Sequence, residues 1–217
     1  MYVPSYYAVT DREEIIAFMK NHPFGLIISS DGAEPVATHI PLEVESRGED
    51  LYLTGHIARV NRQSALLEQE ASSVLAVFHG PHTYISSSWY ARPDAPTWNY
   101  TAVHAYGKLQ TITSAQRVEQ MIRDLLLKYE GGQEQPVEWD MVPAKMMQAM
   151  LKEITCFEIK VERLDAIYKL SQNRTDSDLE AVVTKLDELG WQDREVAEQM
   201  RAIRSTKTNR LFTKTSQ

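Results

Sequence analysis

Cysteine is nearly absent from this 217-residue sequence, because Cys156 is its only one. A single thiol excludes an internal disulfide and is typical of proteins in a reducing compartment. Cys156 lies in an alternating, β-like run at residues 154–159, and this setting favours a buried structural thiol over a reactive one.

Long apolar runs and excess positive charge are also missing. No stretch reaches the roughly 18 apolar residues of a membrane-spanning helix, and the first residues lack the basic and apolar regions of a signal peptide. The 23 Lys and Arg residues are outnumbered by 30 Asp and Glu residues, which gives a net charge of −7. We therefore expect a cytoplasmic protein without a membrane partner and without tight, generic nucleic-acid binding.

Motifs for metal-dependent or nucleophilic catalysis are lacking as well. No pair among the six histidines has the His-x3-His spacing of a helical zinc site, and neither a Gly-x-Ser-x-Gly elbow nor a P-loop occurs. The sequence predicts no metal site and leaves any catalytic residue unknown.

What is present is a strand-rich pattern with 43% hydrophobic residues, enough for a core. Two β-prone runs, Phe24–Ser30 and Val36–Leu42, flank Asp31-Gly32 and predict a hairpin. Val74–Phe78 is apolar throughout and predicts a strand covered on both faces. Helices are predicted over Thr10–His22 and Ser114–Tyr129. The pattern predicts a mainly antiparallel sheet, a small barrel, with peripheral helices and a helical C-terminal extension; its strands are residues 24–30, 36–42, 51–54, 74–78, 103–113 and 154–168.

Residues 79–101 combine three prolines with large aromatic side chains, and we expect a long binding loop here. The rings could wall off a planar ligand or pack at a dimer interface. The aromatic residues are Tyr84, Trp89, Tyr90, Trp98 and Tyr100.

The segment from Leu51 to Gln63 could bind phosphate. A strand ends, Gly55 permits close backbone approach, and a helix begins near Asn61. Arg59, Arg62 and the amides of the first helical turn could converge on a phosphate dianion. The alternative is an ordinary helix start with two solvated arginines.

Thr54, Arg59 and Gln63 follow the Thr-x4-Arg-x3-Gln pattern that holds the FMN phosphate in flavin split-barrel oxidases, and the segment resembles theirs. Those oxidases usually have Ser and Lys on either side of the arginine, whereas this chain has Ala58 and Val60. The resemblance therefore supports a phosphate site more strongly than oxidase activity.

A longer series of blocks runs along the chain: residues 1–4, 37–42, 55–58, 80–90, 96–100, 103–107 and 169–174. In content and order these blocks resemble the PaiB family of FMN-binding negative transcriptional regulators, and the resemblance extends to about Arg204. Arg62 and Ala95 depart from that family's usual proline and valine, and the first adds a cation at the inferred phosphate site.

The resemblance implies a six-stranded antiparallel FMN-binding split barrel over residues 1–170. A helical extension over residues 171–204 and a basic, mobile tail over residues 205–217 would follow it. It also implies a homodimer with FMN between protomers, so that Trp89, Trp98 and Asn99 reach the flavin of the partner chain. The full set of implied FMN-binding residues is Thr38, His39, Thr54, His56, Arg59, Asn61, Gln63, Trp89, Trp98, Asn99, Lys169, Gln172 and Arg174.

The family resemblance predicts a repressor of protease-synthesis and sporulation genes that acts on DNA or on a protein partner through the C-terminal helices. Residues 176–204 are acidic, which disfavours an orthodox helix-turn-helix. Two alternatives stay open: an FMN-dependent oxidoreductase of unknown substrate, and a split-barrel haem-handling protein with a histidine axial ligand.

Overall fold

The computed structural model describes residues 1–30, 34–68 and 72–214, with side chains described up to residue 205. The helices within these ranges are α1 (Arg12–Asn21), α2 (Arg62–Leu67), α3 (Ala115–Glu130), α4 (Ala144–Lys152), α5 (Asp176–Asp187) and α6 (Trp191–Lys214). The strands are β1 (Phe24–Ser30), β2 (Pro35–Pro41), β3 (Glu43–Arg47), β4 (Asp50–Ala58), β5 (Ser72–Ile85), β6 (Thr97–Thr111) and β7 (Ile154–Lys169).

These strands form one sheet in the order β2-β1-β5-β6-β7-β4-β3. The β1–β2 hairpin is antiparallel, with Ile27 opposite Thr38, and β4 runs antiparallel to β7, with Gly55 opposite Phe157. The hairpin predicted from sequence is confirmed, although its Asp31-Gly32 turn lies outside the described residues. The buried or half-buried side chains of Val74–Phe78 confirm that this strand is covered.

Seven strands are observed within the described ranges where the sequence predicted six. The additional one is β3, which pairs with β4 through Val44 and Leu53. Its sequence is Glu-Val-Glu-Ser-Arg, and only Val44 is buried. A strand with one apolar side chain has no alternating hydrophobic signal, and for this reason the sequence pattern did not reveal it.

The long loop predicted at residues 79–101 is mostly strand. β5 continues to Ile85 and β6 begins at Thr97, so residues 86–96 connect them. Burial alternates along the end of β5, where Pro81, Thr83 and Ile85 are covered while His82 and Tyr84 are exposed. This period of two is that of a pleated strand, despite the proline.

The chain divides into two compact units. The terminal unit comprises residues 1–22, 78–104 and 164–217, and the central unit comprises residues 23–77 and 105–163. The domain boundaries predicted at residues 170 and 204 stay a prediction.

In the terminal unit, α5 and α6 bury their apolar faces. Val182 and Val196 belong to one buried cluster with Ile85, Tyr90 and Leu170. This arrangement confirms the helical C-terminal extension. The mobility expected for residues 205–217 stays a prediction, and residues 215–217 lie outside the described part of the chain.

In the central unit, Gly55 makes room for the core. A Cβ atom at Gly55 would lie 2.9 Å from Cζ of Phe157 and 3.1 Å from Cδ2 of Leu42, and both residues are fully buried. The close backbone approach that Gly55 allows is therefore to a core ring. Cys156 is also buried, as predicted.

Helices α3 and α4 of the central unit are poorly covered. Among the described residues, α3 buries none of its side chains and α4 buries only Met147. Leu127, Met146 and Met150 are more than half exposed. No helix of the described chain is both long enough and apolar enough to cross a bilayer.

Candidate functional site

The predicted phosphate segment is the turn between β4 and α2 in the central unit. Asn61 caps α2, since its Oδ1 accepts a hydrogen bond from the Gln63 amide at 2.9 Å. Its Nδ2 donates to Oγ1 of Thr38 at 3.1 Å. The structure thus brings Thr38 and Asn61 together, and the cap already uses one of the amides predicted to face a phosphate.

Arg59 lies in the same turn and is held by main-chain atoms. Its Nε donates to the Lys152 carbonyl at 3.0 Å and its Nη2 to the Ile154 carbonyl at 2.9 Å. Its amide also donates to the Glu153 carbonyl at 2.7 Å. These bonds fix the plane of the guanidinium without neutralising its charge.

The Arg59 side chain lines a cavity of about 760 Å³. Apolar walls come from Ile112, Val118 and Leu151, and Cys156 also faces the cavity. Burial raises the pKa of the Cys156 thiol to about 11, which keeps it protonated at neutral pH. The volume falls within the roughly 300–1,000 Å³ of ligand pockets.

Gln63 has a different environment from Arg59, because it is fully buried. Its Nε2 lies 3.0 Å from Oγ of Ser29 and within 3.3 Å of the Ile27 and Val36 carbonyls. Its Oε1 is buried with no hydrogen-bond partner among the described residues. Gln63 therefore joins α2 to the β1–β2 hairpin and does not line the cavity.

The other predicted residues of the central unit are dispersed. Thr54 is buried within β4. His39 is exposed, and its ring stacks on Phe24 with centroids 6.0 Å apart. His56 lines a separate, mainly apolar pocket of about 330 Å³ with Met147 and Met150, and burial lowers the pKa of its imidazole.

In the terminal unit, Trp98 is half exposed and its indole N–H donates to Nδ1 of His82 at 3.2 Å. Lys169 donates to the Trp98 carbonyl at 3.0 Å, and burial lowers the pKa of its ammonium. Trp89 packs against the buried cluster of α5 and α6. Of the two tryptophans, Trp98 has the larger exposed fraction.

The remaining predicted residues of the terminal unit make structural contacts. Asn99 is fully buried and exchanges hydrogen bonds with Oγ of Ser171, a residue with a left-handed φ of 62°. Gln172 accepts from the Leu170 amide at 2.7 Å and donates to the Tyr168 carbonyl. Arg174 pairs with Asp94 and lies 4.3 Å above the Tyr90 ring.

No sequence pattern indicates a role for Glu68. Its Oε1 lies 3.6 Å from Nη1 of Arg59, and it lines the same cavity. An acid nine positions after an arginine has no motif, so only the folded turn reveals the pairing. The cavity walls, contributed by residues 111–119 and 148–156, likewise carry no local signal.

The donor set suits FMN. A guanidinium oriented by carbonyls offers a planar fork to a phosphate, while the apolar walls of the cavity match the less polar part of an amphiphilic ligand. Arg59 supplies the first property and Ile112, Val118 and Leu151 the second.

The chain has the fold of flavin-binding split barrels. It superimposes on the flavocytochrome Anf3 from Azotobacter vinelandii with a TM-score of 0.57 and 16% identity, over 80% of this chain and 73% of that one. The FAD and heme binding protein from Mycobacterium smegmatis gives a TM-score of 0.57 with 13% identity, over 81% of this chain and 80% of that one.

The family follows from sequence. Residues 1–163 match the family described as "Putative FMN-binding domain". The chain is 43% identical over 186 residues to the protease synthase and sporulation protein PAI 2 of Bacillus subtilis, covering 86% of this chain and 89% of the relative. The chain belongs to this PaiB family of FMN-binding proteins, as its sequence blocks predicted, and FMN is the cofactor that the family assignment supports.

Proposed function

We propose that this protein binds FMN with the flavin phosphate at Arg59 and that its flavin-bound form serves transcriptional regulation. The observation that carries the proposal is the Arg59 guanidinium, held by the Lys152 and Ile154 carbonyls at the rim of the 760 Å³ cavity. A charged group whose orientation is already fixed loses little conformational entropy when it binds an anion.

Within the proposed site, the predicted residues divide by exposure. Thr38, His39 and His56 do not line the cavity with Arg59, but they retain exposed surface and would contact a part of the flavin that lies outside that cavity. Asn61 and Gln63 hold the turn in place. The partner's Trp98 and the partner's Lys169 would complete the site in a homodimer. When bound, FMN would supply one- and two-electron redox chemistry.

The test is FMN titration of Arg59→Met, followed by flavin fluorescence. Loss of a charge-assisted contact in a partly desolvated site predicts about 1.5–3 kcal/mol weaker binding. The matched control is Arg62→Met: this exposed arginine of the same turn was also predicted to face a phosphate, but it pairs with Glu34 at 3.0 Å and does not line the cavity, so FMN binding should be unchanged. An Arg59 variant that binds FMN as tightly as the parent contradicts the proposal.

A Soret band in the purified protein would instead favour the haem alternative, with His56 as the histidine in an apolar pocket.

For the regulatory role, we propose action through a protein partner in the cytoplasm. The name of the Bacillus subtilis relative, which mentions protease synthesis and sporulation, supports the regulatory part. Among the described side chains, two arginines of α6 pair with acids of α5: Arg201 with Asp187, and Arg204 with Asp176 at 3.5 Å. This part of the surface differs from the basic stripe of a DNA-recognition helix.

Electrophoretic mobility shift with promoter DNA at low and physiological salt tests this role. We expect only weak binding that disappears at physiological salt. Sequence-specific retention at physiological salt contradicts a role restricted to protein partners.

A further inference from the structure

The Arg59–Glu68 pair stands at the rim of the cavity. Oε1 of Glu68 is 3.6 Å from Nη1 of Arg59, and the two side chains are 51% and 55% exposed. Both residues line the cavity. The pair is thus accessible to a ligand that enters from solvent.

A carboxylate and a phosphate bind a guanidinium by the same charge-assisted hydrogen bonds. An exposed ion pair contributes only about 0–1 kcal/mol, so a ligand can displace it. A phosphate monoester carries a charge of about −2 near neutral pH, compared with −1 for a carboxylate. The flavin phosphate is therefore able to replace Glu68 at Nη1.

Displacement does not remove the Glu68 charge from the site, because Glu68 is the C-cap of α2 and its amide is bonded to carbonyls of that helix. The Glu68 carboxylate therefore stays close to Arg59 and repels the bound phosphate dianion. The repulsion is partly screened, since both groups are half exposed.

We infer that Glu68 is an affinity- and specificity-determining residue of the flavin site, which competes with the flavin phosphate for Arg59. The inference rests on the proposed function, because it requires the phosphate at Arg59. Glu68 weakens binding of FMN and leaves binding of riboflavin unaffected, since riboflavin has no phosphate. The consequence is a lower affinity for FMN relative to riboflavin than the same site would have without the Glu68 charge.

The chain contains a matched control. Glu34 and Arg62 form a second exposed pair beside the same turn, with a separation of 3.0 Å and exposures of 61% and 62%. Neither of these two residues lines the 760 Å³ cavity. Removal of the Glu34 charge changes net charge by the same amount as removal of the Glu68 charge.

The experiment compares Glu68→Gln and Glu34→Gln in titrations with FMN and with riboflavin at low and high salt. For Glu68→Gln we expect FMN affinity to rise about three- to tenfold at low salt, and less at high salt. Riboflavin affinity should equal that of the parent. Glu34→Gln should leave both affinities within about twofold of the parent.

Three outcomes overturn the inference. If Arg59→Met weakens FMN binding but Glu68→Gln leaves the ratio of FMN to riboflavin affinity unchanged, the proposed function stands and the role of Glu68 is wrong. If Glu34→Gln raises FMN affinity and Glu68→Gln does not, the phosphate binds at Arg62. If Arg59→Met has no effect on FMN binding, the phosphate site itself is wrong and the inference is lost with it.

Discussion

Arg59 and Gln63 are four positions apart, yet their side chains have opposite environments. Arg59 is half exposed at a cavity, whereas Gln63 is fully buried and bonded to the β1–β2 hairpin. Within the Thr-x4-Arg-x3-Gln pattern, Arg59 is therefore accessible to a ligand from solvent, whereas Gln63 joins α2 to the β1–β2 hairpin.

Gly55 is a position where one added methyl group should be costly. In Gly55→Ala the new Cβ would lie 2.9 Å from the Phe157 ring, which is fully buried and cannot move freely. We expect a loss of about 1–3 kcal/mol in the free energy of unfolding, measured by urea denaturation. Gly132→Ala is the control, since nothing lies within 4 Å of its Cβ position. Equal stability of both variants would show that the core tolerates the methyl group.

His56 should make stability depend on pH. Burial lowers the pKa of His56 below its ordinary value of 6.5, so the unfolded chain binds a proton more readily than the folded one. Stability is then complete above pH 6.5 and decreases as the pH falls towards the folded-state pKa. His22 and His104 have the same sign, because burial lowers their pKa too.

Urea midpoints measured between about pH 7.5 and 5.5 test this dependence. His56→Gln should show a smaller decrease than the parent, since it lacks one of the three groups. A variant with an unchanged pH profile would remove His56 as a contributor.

Among helices and strands, the sequence predicts those whose hydrophobic residues recur with a regular period. The β1–β2 hairpin, the Val74–Phe78 strand and α3 all carry such a pattern and appear where expected. β3 does not, because Val44 is its only buried side chain. At the end of β5, the proline and the aromatic residues conceal the strand alternation, and the sequence pattern therefore indicates a loop.

The turn between β4 and α2 depends on one capping side chain. Asn61→Ala removes the cap to the Gln63 amide and the hydrogen bond to Thr38, and should cost about 1–2 kcal/mol. Thr38→Val removes only the second contact and should cost less. Thermal unfolding of both variants measures the difference, and a larger effect at Thr38 than at Asn61 would contradict the capping role.

At the scale of the whole molecule, the site was less predictable than the fold. Arg59 was found because it matches a motif, but its partners Lys152 and Ile154 lie more than 90 positions away. The cavity is lined by four separate chain segments, and no local sequence pattern shows that these segments come together. Several residues predicted to hold flavin, Asn99 and Gln172 among them, make internal hydrogen bonds, and their role in flavin binding stays a prediction.

Exposed apolar side chains motivate the prediction of a homodimer. Trp98 is 49% exposed in the terminal unit, and Leu127 is 73% exposed in the central unit. Large exposed rings and leucines are typical of interfaces.

Light scattering at micromolar concentration should give twice the chain mass of 24.8 kDa. Trp98→Ser should shift the protein towards monomer, while the control Trp191→Ser, at the first residue of α6, which is 73% exposed, should not. A parent protein of monomer mass would contradict the dimer.

The position of Cys156 has a practical consequence for chemical labelling. It is the sole thiol of the chain, and it faces the cavity at Arg59. With a pKa of about 11, roughly one thiol in a thousand is ionised at pH 8, so alkylation will be slow. Every modified molecule will carry its tag at one known wall of that cavity. The mass increase per chain, followed over time, will therefore report how often a small reagent gains entry and how far an added ligand blocks it, without any engineered probe.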